Sequence, residues 1–236
     1  MKDQRNVLVT GADGGLGIPV VTRLLQEGWK VNAFLHTEAK INGMRRHFPE
    51  ESDKQLLFFA GDVTRPDDIE TVIEQIKTIH AVVHLAGGFA GAATFGDSEP
   101  DIFDRMFTLN TRSAYLLIRT VLPRMKKDKQ GAIVTIGAKP AIHPGAVNAV
   151  YAASKAALIN LTMTAAEEGR QYNVRANTIV PAVIRTAENM RWISSEKEAD
   201  KWTPPEDIAR IISWLISEAG ASVTGTIIPV FHQMEQ

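Results

Sequence analysis

Short apolar runs rich in β-branched residues recur along the chain, and between most of them apolar positions return every three or four residues. The runs Asn6–Thr10, Trp29–Leu35, Leu56–Ala60, His80–Leu85, Gly131–Ile136, Val174–Val180 and Thr226–Val230 have the length and continuity of buried strands. Helical spacing is carried by Val20, Val21, Leu24 and Leu25, stopped at Gly28, and by Ile69, Val72, Ile73 and Ile76. It continues through a long segment from Asp101 to Met125 and an Ala-rich one from Tyr151 to Gly169. A last helix holds Ile208, Ile211, Ile212 and Leu215 behind the cap-like start Thr203-Pro-Pro-Glu206. Strands alternating with helices predict an α/β fold in a single domain over residues 1–236. Its sheet is expected to be doubly wound, with seven mainly parallel strands and helices on both faces. Pro229 places the last strand at an edge or strand end, because proline cannot donate to a ladder. Residues 187–203 break the pattern. They are polar and charged apart mainly from Met190 and Trp192, and are expected to form a mobile flap.

The first strand runs into Gly11-Ala-Asp-Gly-Gly-Leu-Gly17 and then a helix. This order lets a dinucleotide pyrophosphate reach amides at a helix N-terminus, where a Cβ would block it. It makes the sheet Rossmann-type, with Gly11, Asp13, Gly15, Leu16 and Gly17 as candidate cofactor contacts. The second strand ends in His36 rather than in the acid that would hold the adenosine ribose of NAD. NADP(H) is therefore slightly favoured over NAD(H), with Lys40, Arg45 or Arg46 as phosphate partners, although Asp13 weighs the other way. His36 as a plain exposed strand-end residue is an equal alternative. Asp62, followed by Val63, leaves the third strand and either accepts a hydrogen bond from adenine or merely caps the chain near Pro66. Ala86, Gly87 and Gly88 let a cofactor pass close to the backbone. Asn110 falls mid-helix, where propensity disfavours it, so it either faces solvent or has a job.

Tyr151 and Lys155 stand four apart and share one helix face. A nearby ammonium is expected to lower the phenol pKa and let Tyr151 exchange a proton near neutral pH. Composition narrows the picture further. With Lys+Arg 26 against Asp+Glu 27, the net charge of −1 offers no attraction to nucleic acid or an acidic membrane. The chain has no cysteine, which excludes disulfides and thiolate chemistry, and no residue set suggests a metal site. There is no apolar run of membrane-spanning length and no signal-like N-terminus, so a cytoplasmic enzyme acting on a small molecule is expected.

In this order the motifs resemble the short-chain dehydrogenase/reductase family over nearly the whole length. Thr10-Gly11-X-X-X-Gly15-X-Gly17 is similar to its cofactor loop, and Leu85-Ala86-Gly87 to its Asn-Asn-Ala-Gly segment, with His84 in place of an Asn. The resemblance implies that Tyr151 and Lys155 form the catalytic pair, that Lys155 also binds the ribose, and that Asn110 anchors a proton-relay water. Pro181, Ile184 and Thr186 would grip the nicotinamide carboxamide, with Ala182 in place of the usual Gly. It also implies a homodimer or homotetramer built on the helices bearing Asn110 and Tyr151, with Ala152, Ala156, Leu116 and Leu117 on the outer face.

The family's substrate-orienting serine falls at Ala138, whose methyl cannot donate a hydrogen bond to a developing alkoxide. Such a loss typically costs about 2.7–4 kcal/mol of transition-state stabilisation. The dihydropteridine reductase branch carries an alanine there. Ala86-Gly-Gly-Phe-Ala-Gly91, Gly137-Ala-Lys139 and Trp202-Thr-Pro204 are similar to segments of it. The expected activity is thus NAD(P)H-dependent hydride transfer to a conjugated or quinonoid acceptor, with Tyr151 as proton donor. Two alternatives are a carbonyl reductase in which His143 or water replaces the serine, and a non-catalytic NAD(P)-binding regulatory protein. Phe89, Ala138, Lys139, His143, Met190 and Trp192, with Trp202, are the candidate substrate-pocket residues; the alternatives are that the aromatic residues only pack the flap on the domain and that His143 is a plain loop residue.

Overall fold

The computed structural model describes residues 4–48, 54–91, 94–193 and 195–234. Seven strands form one sheet: β1 (Asn6–Thr10), β2 (Lys30–Leu35), β3 (Leu56–Ala60), β4 (Ala81–His84), β5 (Gly131–Ile136), β6 (Val174–Pro181) and β7 (Thr226–Val230). Their order is β3-β2-β1-β4-β5-β6-β7, and every neighbouring pair is parallel. The eight α-helices found among the described residues are α1 (Gly17–Gln26), α2 (Glu38–Arg45), α3 (Pro66–Glu74), α4 (Pro100–Met106), α5 (Ser113–Asp128), α6 (Ala149–Gly169), α7 (Glu196–Ala199) and α8 (Pro205–Ile216). None of the described helices is long and apolar enough to cross a membrane.

Successive strand residues point to opposite faces, which explains the unbroken apolar runs. Val7 and Val9 enter a layer with Val20 and Leu24 of α1, Met44 of α2 and Ile212 of α8. Leu8 enters the opposite layer, with Ile69 and Val72 of α3 and Leu117 and Val121 of α5. Each such side chain contributes about 1.5–3 kcal/mol by leaving water. β7 is an edge strand, and its Pro229 sits opposite Val180. The chain reverses direction across the sheet between β3 and β4, so a crevice opens beyond the carboxyl ends of β1 and β4, where Thr10 lies opposite His84.

Two expectations are corrected. The segment from Asp101 to Met125 is not one regular helix: α4 ends at Met106, and a π-helical turn over Phe107–Arg112 precedes α5. Leu116 and Leu117 do not lie on an outer face. They are buried under the sheet, while Tyr115 is the large hydrophobic residue of α5 that stands out, at 49% exposure. The segment 187–203 is polar but partly anchored, because Ala199, Trp202 and Thr203 are buried. The Thr203 amide donates to Val183 O at 2.9 Å, its carbonyl accepts from Arg185 N at 2.9 Å, and its hydroxyl donates to Val230 O at 3.1 Å.

Candidate active site

A cleft of about 620 Å³ lies at the crevice, with Gly11, Asp13, His36, Asp62, Val63 and Gly87 among its walls. Gly11 has φ +65° and lies so close to the loop after β4 that a Cβ on it would sit 2.8 Å from Ala86 N. Leu16 places its side chain in the core, and Gly17 opens α1. Asp13 pairs with Lys40 at 3.0 Å, both beside His36 in the cleft wall. Arg45 is turned away from this corner and lies over the Phe58 ring at 4.8 Å. Asp62 Oδ1 accepts from the Thr64 amide at 2.8 Å and from its hydroxyl at 2.7 Å. Burial pushes the Asp62 carboxyl up, but the two Thr64 bonds, with His36 and Arg65, leave it below the usual value.

The second group of residues converges at Asn110. This side chain is buried inside the π-helical turn, so the sequence alternative in which it faces solvent does not hold. Its Oδ1 accepts from Gly88 N at 2.9 Å, and its Nδ2 donates to Gly88 O at 3.1 Å and to Ser154 Oγ at 3.0 Å. The loop after β4 is thereby clamped to α6. Gly87 lies in the same corner: a Cβ there would stand 2.7 Å from Asn110 Oδ1 and 3.2 Å from Lys155 Nζ. Ser154, which sequence reasoning passed over, also donates to Tyr151 O at 2.8 Å, and its carbonyl accepts from Thr111 Oγ1 at 2.9 Å. Its only sequence signal was a serine in mid-helix between Tyr151 and Lys155.

Lys155 is buried and donates to Ile136 O at 2.9 Å, at the end of β5. Burial pushes its pKa down to about 8 and pushes the Tyr151 phenol up to about 12. The expected lowering of the tyrosine by its lysine neighbour is therefore not found. Desolvation dominates both groups, and helical spacing carries no information about it.

An aromatic wall continues from Tyr151. Phe89 meets the Tyr151 ring edge-on at 5.1 Å, and Trp192 meets Phe89 at 5.4 Å. Met190 starts from the same short turn, with its amide bonded to Thr186 O at 2.9 Å. Asn148, immediately before α6, lines a small pocket with Tyr151, and its Oδ1 is buried without a hydrogen-bond partner. It too was missed, because only the fold brings it to the tyrosine. His143 and Lys139 turn elsewhere. The His143 ring lies edge-on to Phe231 at 5.9 Å, and Lys139 Nζ lies 5.4 Å from the centre of the same ring. Ala138 is buried just after β5, and Trp202 is core rather than pocket wall. Pro181 closes β6, Ile184 bridges to Thr203, and Thr186 packs on the glycine loop, where a Cβ on Gly15 would come within 2.6 Å of it.

Known proteins share this fold. The family model for short chain dehydrogenases matches residues 5–197. The rat (Rattus norvegicus) dehydrogenase/reductase SDR family member 6 is 29% identical, over 93% of each chain. The structure of ElxO with NADP bound superimposes with a TM-score of 0.90 at 22% identity, covering 96% of this chain and 97% of that one. A 3-oxoacyl-[acyl-carrier protein] reductase with bound NAD, from Brucella melitensis, gives 0.85 at 24% identity, covering 99% and 93%. These last two likenesses concern the fold. With the model match spanning most of its length, the chain belongs to the short-chain dehydrogenase/reductase family of NAD(P)-dependent oxidoreductases.

Proposed function

We propose that this oxidoreductase transfers hydride from a reduced nicotinamide cofactor to a conjugated or quinonoid acceptor, in the manner of a dihydropteridine reductase, with Tyr151 as proton donor. The observation that carries the reading is the aromatic corner in which Phe89 meets Tyr151 edge-on and Trp192 lies tilted against Phe89, an apolar, ring-lined surface suited to packing a planar ring. Ala138, at the position of the family's serine, offers no hydroxyl to a growing oxyanion. A quinonoid ring spreads incoming charge over its own nitrogens and needs that donor less. The buried Asn148 Oδ1 near Tyr151 suits a ring that carries an N–H.

The cleft suits a dinucleotide, because its glycines bring backbone where a Cβ would collide. Gly11, Gly15, Leu16 and Gly17 would face the phosphates, and His36 and Lys40 the adenosine ribose. Asp62 and Val63 would meet the adenine, while Ala86, Gly87 and Gly88 flank the path to the reacting end. Pro181, Ile184 and Thr186 would hold the carboxamide, and Lys155 the second ribose. When bound, the reduced nicotinamide supplies the hydride. A phenol pushed up to about 12 stays protonated at neutral pH and is loaded as a donor, while Asn110 fixes the Gly88 loop against α6. The slight preference for NADPH rests on His36 and Lys40 and is opposed by Asp13. A homodimer or homotetramer would use the exposed face of α5 and α6 around Tyr115 and Leu161.

The test follows nicotinamide oxidation with NADH and NADPH against a quinonoid dihydropterin and a simple activated ketone. The pterin should turn over faster, and Tyr151→Phe should lose about 10²–10⁴-fold. Ala138→Ser should raise ketone turnover. Ketone turnover at least equal to that of the pterin in the native enzyme would favour the carbonyl-reductase reading, and undiminished turnover in Tyr151→Phe would refute the proton donor.

A further inference from the structure

His84 ends β4 in place of the asparagine its family resemblance leads one to expect, and it is 2% exposed. Its Nδ1 lies 2.8 Å from Thr10 Oγ1 and its Nε2 lies 3.2 Å from Ser113 Oγ. The direction of each bond follows from counting protons. Ser113 Oγ donates its single hydrogen to Leu109 O at 2.5 Å, so it can only accept from His84. Nε2 therefore carries the proton and Nδ1 is bare. Thr10 must then donate to Nδ1, and its oxygen is left to accept from Ala86 N at 3.3 Å. One directed chain results, running from the Ala86 amide through Thr10, His84 and Ser113 to the Leu109 carbonyl.

The two ends of that chain are the two halves of the candidate site. Ala86 begins the loop that lines the cleft, and Leu109 immediately precedes Asn110 inside the π-helical turn. The Ser113 amide reaches back five residues to Thr108 O, as a π turn requires, and its hydroxyl takes up the Leu109 carbonyl. Burial pushes His84 down to about 3, with the Lys155 charge adding to the effect, so the ring stays neutral as the bridge demands.

We propose that His84 is a positioning residue, an Nε2-protonated imidazole that ties Thr10 and the cleft loop to the π-helical turn and so sets where Asn110 clamps Gly88. An asparagine side chain ends near the place of Nδ1 and would reach Thr10 but not Ser113. A glutamine ends near the place of Nε2 and would reach Ser113 but not Thr10. The two variants therefore cut the chain on opposite sides.

The kinetic part of this proposal rests on the reductase reading; its structural part does not. The experiment combines ¹⁵N imidazole NMR of the native enzyme, amide hydrogen exchange, and binding and turnover with NADPH as probe in His84→Asn and His84→Gln. The native ring should show the Nε2–H tautomer. His84→Asn should speed exchange at Gly88 while sparing Ala86, keep the NADPH dissociation constant within about threefold, and lower kcat about tenfold, the scale of one lost hydrogen bond. His84→Gln should speed exchange at Ala86 first and weaken NADPH binding about tenfold, with kcat less affected. An Nδ1–H tautomer overturns the proposal outright, whether or not the variants fold. So does equal loss of protection at both amides in both variants, the mark of a general packing role. If no acceptor is turned over even by the native enzyme, the reductase reading fails, while the tautomer and exchange results still decide the proposal.

Discussion

Replacing Gly87 by alanine tests the site at its tightest corner. The added Cβ would lie 2.7 Å from Asn110 Oδ1 and 3.2 Å from Lys155 Nζ, closer than a methyl tolerates. Lys155 can yield a little along its length, but Asn110 is short, fully buried and held by Gly88 and Ser154. Relief must come by breaking the paired bonds to Gly88, each worth about 1 kcal/mol net. Alanine also narrows the unfolded ensemble, which returns about 0.4–1 kcal/mol, because the Gly87 backbone lies outside the left-handed region. The expected net loss is about 1–2 kcal/mol, or roughly 2–8 °C in melting temperature for a chain of this size. Turnover should suffer far more, by about 10²-fold, because a displacement of about 1 Å in a positioning group costs that much. Steady-state kinetics and thermal melts of Gly87→Ala read both quantities. Gly43→Ala serves as control, since Gly43 lies in α2 with open space at its Cβ, and it should be neutral or stabilise by up to about 1 kcal/mol. A Gly87→Ala enzyme with native kcat and native melting temperature would refute the convergence of Gly87, Asn110 and Lys155.

Lys155 makes stability depend on pH. Its folded pKa of about 8 lies below the ordinary 10.5, so the unfolded chain holds more protons between these values and stability rises with pH across that window, by up to about 3 kcal/mol. Tyr151, raised from 10.0 to about 12, works the other way above pH 10. Melts of the native protein and Lys155→Met from pH 7 to 10 should show the native protein gaining on the variant, and a constant difference would contradict a buried ammonium. Asp13→Asn should release Lys40 toward a 2′-phosphate and remove a like charge, raising the NADPH-to-NADH ratio of kcat/KM about fivefold, the scale of a surface pair worth about 1 kcal/mol. An unchanged ratio would place the ribose phosphate away from that corner.

Much of the fold was legible because buried parallel strands write themselves as continuous apolar runs. β1, β3, β5 and β7 have the expected bounds, and Pro229 marked the edge correctly. The turn at Phe107–Arg112 was not legible: apolar spacing continues through it, and Asn110 at a poorly suited position was the one sign of it. Leu116 and Leu117 were misplaced because resemblance to a family puts the outer face on a helix without saying which of its residues turn inward to the sheet. The glycine loop, Asp62 and the Tyr151 face were readable as motifs. Asn148, Ser154 and the His84 bridge depend on side chains brought together from residues far apart in sequence, which no local spacing encodes.

The closure at Thr203 gives the segment above the site an evolutionary freedom. Thr203 is fastened to Val183, Arg185 and Val230, so the two ends of the stretch between Thr186 and Trp202 are tied together and, through Val230, to β7. Doubling the length of such a tethered loop costs only about 0.6 kcal/mol of closure entropy. Insertions and deletions there can reshape the surface around Met190 and Trp192 without disturbing the strands beneath. On the proposed reading the same scaffold can thus be refitted for acceptors of different size by editing one stretch of chain, with the sheet and its knots of hydrogen bonds inherited intact.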